Sequence, residues 1–318
     1  MAEPGTVLVT GGAGFIGSHV AEAYVARGWS VTIVDNLSSG RRENLPKGAD
    51  FVELDIRNGG LRDLFRERGG FELVNHHAAQ IDVRVSVERP RIDADINIGG
   101  LLNVLEAARE SGTRRVVFVS SGGVVYGDAR DRPIPETAPK RPESPYGVSK
   151  LVGELYLRCF RLLHGLDYAA LRYSNVYGPR QDPHGEAGVV AIFSSQLLKG
   201  EPIKIFGSGE QTRDYVFVED VVSANMLVSE AELGDGCELD DRAFNVGTSR
   251  ETSVNELARK LMEAAGREAV IERAAARAGE LEWSCLACDK LKKLGWEAAV
   301  DISEGLARTY QWIAETSG

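Results

Sequence analysis

Three glycines set between a short apolar run and a longer helical pattern constrain this chain more than any other feature. Val7-Leu8-Val9-Thr10 reads as a buried strand, and Phe15 to Arg27 reads as a helix that stops at Gly28. Gly11, Gly14 and Gly17 therefore occupy a strand-to-helix turn. In such a turn the first glycine permits the tight reversal, the second lets the backbone approach a phosphate, and the third brings helix close to strand. The free amides at the helix start then face a pyrophosphate. A second strand, Val31 to Val34, follows and ends in Asp35. A carboxylate about 20 residues past the glycines accepts a ribose 2′-hydroxyl and repels a 2′-phosphate, which favours NAD over NADP. Arg41 and Arg42 are the residues that argue the other way, although each reads more simply as a surface charge.

Runs at Phe51–Asp55, Leu73–His77, Arg115–Ser120 and Ala169–Tyr173 look like further strands between helical stretches. This βαβ succession predicts an α/β fold with a doubly wound parallel sheet, whose ligands sit at the carboxyl ends of the strands, where Asp55, His77, Ser120 and Ser121 fall. A chain of 318 residues has room for one or two domains. Its net charge of −10 argues against nucleic acid or an anionic membrane as partner. No apolar stretch is long enough to span a bilayer, and Met1–Gly5 runs into the first strand without a signal peptide, so a soluble cytoplasmic protein is expected. Cys285 and Cys288 form a C-x-x-C, but two further ligands at metal-site spacing are missing and no metal is expected.

Downstream, Asp128 to Pro145 reads as a surface loop, with Ser144 as N-cap and Pro145 opening a helix. Leu151, Leu155, Cys159 and Leu162 read as its buried apolar stripe, up to Gly165. Tyr146 and Lys150 then share one face. A free tyrosine titrates near pH 10, too high for a base at neutrality, but an adjacent ammonium and a positive nicotinamide ring favour the phenolate. Tyr146 can then take a hydroxyl proton. Alone, a Tyr/Lys pair at i,i+4 is more often a solvated helix face; the dinucleotide turn upstream points it to hydride chemistry.

With these landmarks the chain resembles the extended short-chain dehydrogenase/reductases, and within them the nucleotide-sugar epimerases of the UDP-glucose 4-epimerase type. The resemblance covers nearly the whole chain: the glycine turn, Asp35-Asn36-Leu37, Asp55-Ile56, His76-His77-Ala78-Ala79-Gln80, Asn97, Ser120 through Gly127, and Tyr146/Lys150. It implies NAD held by Gly11, Gly14, Phe15, Ile16, Gly17, Asp35, Asn36, Asp55, Ile56, Ala78, Ala79, Gln80, Asn97, Ser120, Tyr146 and Lys150. Asp55 and Ile56 would hold the adenine, and Lys150 the nicotinamide ribose. It implies a Rossmann domain over 1–172, with 213–246 returning to it, and a smaller mixed α/β domain over 173–318 for a UDP-sugar. There Asn175, Val189, Arg213, Arg277 and Glu280 would contact substrate together with Ser121, Gly122 and Tyr146. The guanidinium groups of Arg213 and Arg277 suit a diphosphate, whereas Arg180 reads as a surface charge. A homodimer is implied, built on the helix that carries the Tyr/Lys motif.

The implied reaction inverts the sugar C4 through a 4-keto intermediate, with Tyr146 removing and returning the hydroxyl proton. One departure stands out. Where these epimerases carry a Ser or Thr that bonds the sugar 4-oxygen, this chain has Gly122, and Ser121, one residue earlier, is the candidate replacement if Gly122-Gly123 bends the strand end. Gly122-Gly123 also replaces the Asp-Glu pair of sugar 4,6-dehydratases. Arg84 could serve a uronate carboxylate, which keeps UDP-glucuronate epimerisation as the second reading, and a non-catalytic NAD-binding regulator is the third. Ser284 stands where a bulky residue would exclude N-acetylated sugars, so these are expected to fit.

Overall fold

The computed structural model describes residues 5–183, 188–276 and 281–316. Its strands are β1 Thr6–Thr10, β2 Ser30–Asp35, β3 Asp50–Glu53, β4 Leu73–His76, β5 Arg115–Ser121, β6 Asp167–Tyr173, β7 Asn175–Tyr177, β8 Ile203–Phe206, β9 Thr212–Arg213, β10 Tyr215–Phe217, β11 Ala243–Val246, β12 Thr252–Ser253 and β13 Ile271–Ala274. The helices are α1 Phe15–Ala26, α2 Gly60–Glu67, α3 Val83–Glu88, α4 Pro90–Ala94, α5 Leu101–Glu110, α6 Gly122–Val125, α7 Pro145–His164, α8 Val189–Lys199, α9 Val218–Glu230, α10 Val254–Ala265, α11 Asp289–Lys293 and α12 Ile302–Thr316.

Seven strands form one parallel sheet in the order β11-β6-β5-β4-β1-β2-β3. Side chains alternate across it, as the two-residue period of a strand requires. Val7 and Val9 of β1 pack with Val20, Ala21 and Tyr24 of α1 and Met226 and Val228 of α9. Leu8 points the other way, into a core with Leu61 and Phe65 of α2 and Val104 and Leu105 of α5. Both faces are covered, which is why these strands read as continuous apolar runs. The chain order reverses between β1 and β4, and at such a switch point a crevice opens beyond the strand ends. The sheet is the expected doubly wound Rossmann arrangement, and β11, from the second half of the chain, lies beside β6.

A smaller mixed α/β core gathers Tyr177, Phe193, Ile203, Phe217, Leu257 and Leu306 beneath α8, α10 and α12. Among the described residues no helix is long and apolar enough to cross a membrane.

Most of the α7 stripe expected to be buried is exposed. Leu151 is partly buried against the core, but Leu155 and Leu162 are 44% and 49% exposed, and Cys159 is exposed as well. The buried face consists of Gly147, Ser149, Lys150, Gly153, Glu154 and Leu157. Small residues allow close approach to β5: a Cβ at Gly153 would sit 2.6 Å from the Phe118 ring. The polar residues buried with them are hydrogen-bonded, as burial demands.

Candidate functional site

The glycine turn is locked at the switch point by its neighbours. Gly11 N donates to Val34 O at 2.8 Å, and His77 N donates to Thr10 O at 3.0 Å. Gly11 has φ +69°, and a Cβ there would lie 2.6 Å from Ala78 N; one at Gly17 would lie within 2.9 Å of the Gly11 carbonyl carbon. At Gly14 a Cβ would approach Gly11 O at 3.2 Å and, among the described residues, no other non-neighbouring atom, so its outer side is open. Helix α1 has no side-chain cap, leaving the amides around Phe15, Ile16 and Gly17 for an anion. This cradle fits a dinucleotide pyrophosphate.

Asp35 is nearly buried at the end of β2, where its Oδ2 accepts Ala13 N at 3.0 Å and its Oδ1 accepts Leu37 N at 2.8 Å. Arg41 and Arg42 are committed elsewhere. Arg41 pairs with Asp182 at 2.9 Å, and Arg42 pairs with Glu53 and stacks over Phe51. Neither arginine is paired to Asp35, whose carboxylate suits a ribose 2′-hydroxyl. Asn36 donates to Asp55 Oδ2 at 2.9 Å, and the Arg57 guanidinium grips the same carboxylate and holds its pKa well below the usual range. Ile56 is buried against Gly100. Ala78, Ala79 and Gln80 line the exit of β4, half-buried. Gln80 and Asn97 bond reciprocally: Gln80 N donates to Asn97 Oδ1 at 2.8 Å, and Asn97 Nδ2 donates to Gln80 O at 2.9 Å. Asn97 sits in a π-helical stretch, Asp95–Gly100, a widened turn of the kind frequent at functional sites.

Tyr146 and Lys150 lie one turn apart on α7, and Ser144 caps that helix through Gly147 N. Tyr146 is half-buried. Lys150 is 4% exposed; its Nζ donates to Val119 O at 2.9 Å and lies 5.6 Å from the centre of the Tyr146 ring and 5.2 Å from that of Phe118. Burial brings the Lys150 pKa down to about 8, against the opposing charge of Asp93. Beside it, burial and then the lysine charge push both His76 and His77 down to about 3, so the two imidazoles are neutral at pH 7. His76 Nδ1 and Thr10 Oγ1 are 2.7 Å apart. An ammonium thus stands beside the phenol, with two neutral imidazoles and the Asp93 carboxylate also near it.

Ser120 and Ser121 point apart, as successive strand residues do. Ser120 is buried and donates to Glu154 Oε1 at 2.5 Å, which leaves only its backbone to face the crevice. Ser121 is half-buried at the end of β5, and no side-chain hydrogen bond is formed there among the described residues. The strand end does not merely bend: Gly122 to Val125 form a helical turn, α6. The absence of a hydroxyl at Gly122 has a structural counterpart. A Cβ there would lie 2.5 Å from Leu286 Cδ1 and 2.9 Å from Cδ2. Leu286 is fully buried; its N donates to Asp214 Oδ2 at 3.2 Å, and its segment bridges to Ile134.

On the substrate side, Asn175 is exposed at the start of β7, Arg213 is half-buried in β9 with its Nη1 on Thr212 O, and Val189 opens α8. Arg277 and Glu280 lie outside the described residues. Ser284 is buried. Arg180 pairs with Glu22 at 2.7 Å, as a surface charge would. Arg84 pairs with Asp82 and is 75% exposed. Cys285 and Cys288 are buried free thiols, pushed by burial up to about 12, and among the described residues no group of three potential metal ligands occurs.

Two buried residues have roles that the sequence does not show. Arg172 is fully buried on β6 and gives its donors to Glu154, Tyr126 Oη, Glu136 O and Asp240, tying α7 to β6. Asp93, also fully buried, accepts from Gln80, Asn97 and Ser149. Arg172 opens the Arg172–Arg180 segment that resembles a UDP-sugar-binding one, but its buried role, like that of Asp93, depends on partners that only the fold brings together.

A sequence profile of the NAD dependent epimerase/dehydratase family matches residues 7–247. The UDP-glucose 4-epimerase of Mycolicibacterium smegmatis is 45% identical over 316 residues, 98% of this chain and 99% of that protein. The crystal structure of a Thermotoga maritima UDP-glucose 4-epimerase with UDP-glucose superposes with a TM-score of 0.92 at 46% identity, covering 98% of this chain and 100% of the other. A Thermus thermophilus UDP-glucose 4-epimerase in complex with NAD gives 0.90 at 44% identity, with coverage of 98% and 99%. A glycine cradle at the switch point, a buried lysine beside the half-buried Tyr146, and likeness along almost the full length place this chain in the NAD dependent epimerase/dehydratase family.

Proposed function

We propose that this chain is a UDP-hexose 4-epimerase that interconverts UDP-galactose and UDP-glucose. The observation that carries the reading is the buried Lys150 one turn below Tyr146 at the carboxyl ends of β4 and β5, beside the NAD cradle. Gly11, Gly14, Gly17 and the α1 amides hold the pyrophosphate. Asp35 accepts the ribose hydroxyls; Asp55, Asn36 and Ile56 border the adenine; Ala78, Ala79, Gln80, Asn97 and the Ser120 backbone line the path to the nicotinamide. Bound NAD supplies the hydride acceptor and donor for sugar C4. Tyr146, its phenolate favoured by the Lys150 ammonium, takes the proton from the 4-hydroxyl and returns it after the 4-keto sugar has turned over. Ser121 bonds the 4-oxygen in place of a residue-122 hydroxyl. Asn175, Val189 and Arg213, with Arg277 and Glu280, anchor UDP while the hexose turns, so binding energy is spent on the part that does not react.

Residues 1–172 with 213–246 serve the dinucleotide, and 173–318 mainly the UDP-sugar. Ser284 is small, which favours acceptance of N-acetylated UDP-hexoses. The uronate reading is weaker because Arg84 is turned to solvent and to Asp82. The proposal includes a homodimer through α7, supported by Val148, Leu155, Tyr156, Leu162 and Leu163, which stay exposed on one helix. Four unpaired cysteines suit the reducing cytoplasm. The test is Tyr146→Phe with NAD content measured alongside turnover. Loss of about 10²-fold or more in kcat with NAD retained is expected. Unchanged turnover would overturn the role of Tyr146, and a wild-type protein that binds NAD without turnover would favour a non-catalytic binder.

A further inference from the structure

Asp93 is a fully buried carboxylate at the end of the short helix α4, where it packs against α7. Its Oδ1 accepts from Gln80 Nε2 at 3.0 Å and from Asn97 Nδ2 at 3.0 Å, and its Oδ2 accepts from Ser149 Oγ. No cation pairs with it directly among the described residues. A buried charge without a partner is costly, and three neutral donors alone do not remove its field. Ser149, which Asp93 holds, is next in sequence to the buried Lys150 on α7, and the Asp93 charge acts on that ammonium. The groups facing Lys150 are His76 and His77 from the β4 end, the Phe118 ring and Val119 carbonyl from β5, Tyr146 on its own helix, and Asp93 from α4. Of these, Asp93 is the carboxylate, and its charge favours the ammonium whether Tyr146 is phenol or phenolate, whereas both imidazoles are neutral.

We propose that Asp93 is a positioning residue for the epimerase reaction: clamped by Gln80, Asn97 and Ser149, it supplies the buried negative charge that keeps Lys150 cationic beside Tyr146. The same clamp ties the cofactor-side residues Gln80 and Asn97 to the catalytic helix, so one carboxylate sets both the charge of the lysine and the seat of α7. This inference rests on the Tyr146/Lys150 reading above. Loss of the Asp93 charge leaves burial unopposed, so Lys150 gives up its proton at lower pH, and Tyr146 then loses the ammonium that favours its phenolate.

The experiment is Asp93→Asn in the full-length, NAD-loaded protein, with kcat and KM for UDP-galactose measured from pH 6 to 10. The amide has nearly the shape of the carboxylate: its oxygen can accept from Gln80 and Asn97, and its NH2 can donate to Ser149 Oγ. The alkaline limb of kcat should move down by about one pH unit, with KM unchanged and the acid-side plateau close to wild type. A uniform fall across the whole range with the limb in place is what a merely structural role gives, and it would overturn the proposal. So would an unaltered profile. If Asp93→Asn does not fold, a 13C NMR titration of Lys150 in the wild-type protein decides: the ammonium should persist through pH 7, and a neutral lysine there refutes the proposal. Wild-type protein without epimerase activity would instead refute the functional reading.

Discussion

Placing a serine at position 122, where the family resemblance leads one to expect a hydroxyl, should destabilise this protein, and shortening Leu286 should relieve most of the cost. The new Cβ would lie 2.5 Å from Leu286 Cδ1, 2.9 Å from Cδ2 and 3.2 Å from Cγ, all closer than ordinary van der Waals contact. Leu286 cannot retreat easily. It is fully buried, its N is held by Asp214, and Ile134 pairs with its segment through Cys285 O and Ala287 N. Overpacking of this kind costs about 1–3 kcal/mol. Leu286→Ala alone opens a cavity and costs about 2–5 kcal/mol. In the double variant the serine side chain occupies part of that cavity and meets no branch, so the two costs should fall short of additivity by about 1–3 kcal/mol. Urea unfolding of wild type, both single variants and the double variant measures all four corners. Strict additivity, or a Gly122→Ser protein as stable as wild type, would refute the claim that Gly122 and Leu286 are a size-matched pair.

Two further predictions concern association and acid stability. Leu155→Lys with Leu162→Lys charges the exposed apolar face of α7, so light scattering should show a dimer of the 34.5 kDa chain for wild type and a monomer for the variant; an unchanged mass would refute α7 as the interface. His76 and His77 have folded pKa values of about 3 against 6.5 when unfolded, so between those values the unfolded chain binds more protons and stability falls as pH falls. Each contributes up to about 1.4 kcal/mol per pH unit in that window. His77→Gln should therefore flatten the dependence of the urea midpoint on pH between 6 and 4, and an unaltered slope would contradict the assignment.

The parts of the site that were legible in the sequence are those whose chemistry is local. The turn from β1 to α1 needs glycine at Gly11 because φ is +69°, and at Gly17 because a Cβ would press on the Gly11 carbonyl, so its signature survives in a short string. Tyr146 and Lys150 are neighbours by helix geometry alone. The orientation of α7 was not legible, because an apolar stripe is ordinarily a buried stripe. Here the buried face carries a lysine and a glutamate, each satisfied by a partner from another element, Val119 O for Lys150 and Arg172 for Glu154. Leu286 and Asp93 were hidden for a related reason. Their significance comes from what the fold sets against them, Gly122 for the one and Ser149 for the other, and no local pattern records a contact between distant segments.

The most direct test of the central claim is proton NMR of the purified protein incubated with UDP-galactose and no added reductant, following the anomeric signals. The account predicts conversion towards a UDP-glucose/UDP-galactose equilibrium, reached equally from UDP-glucose. UDP-galactose left unchanged by folded, NAD-containing protein would contradict it.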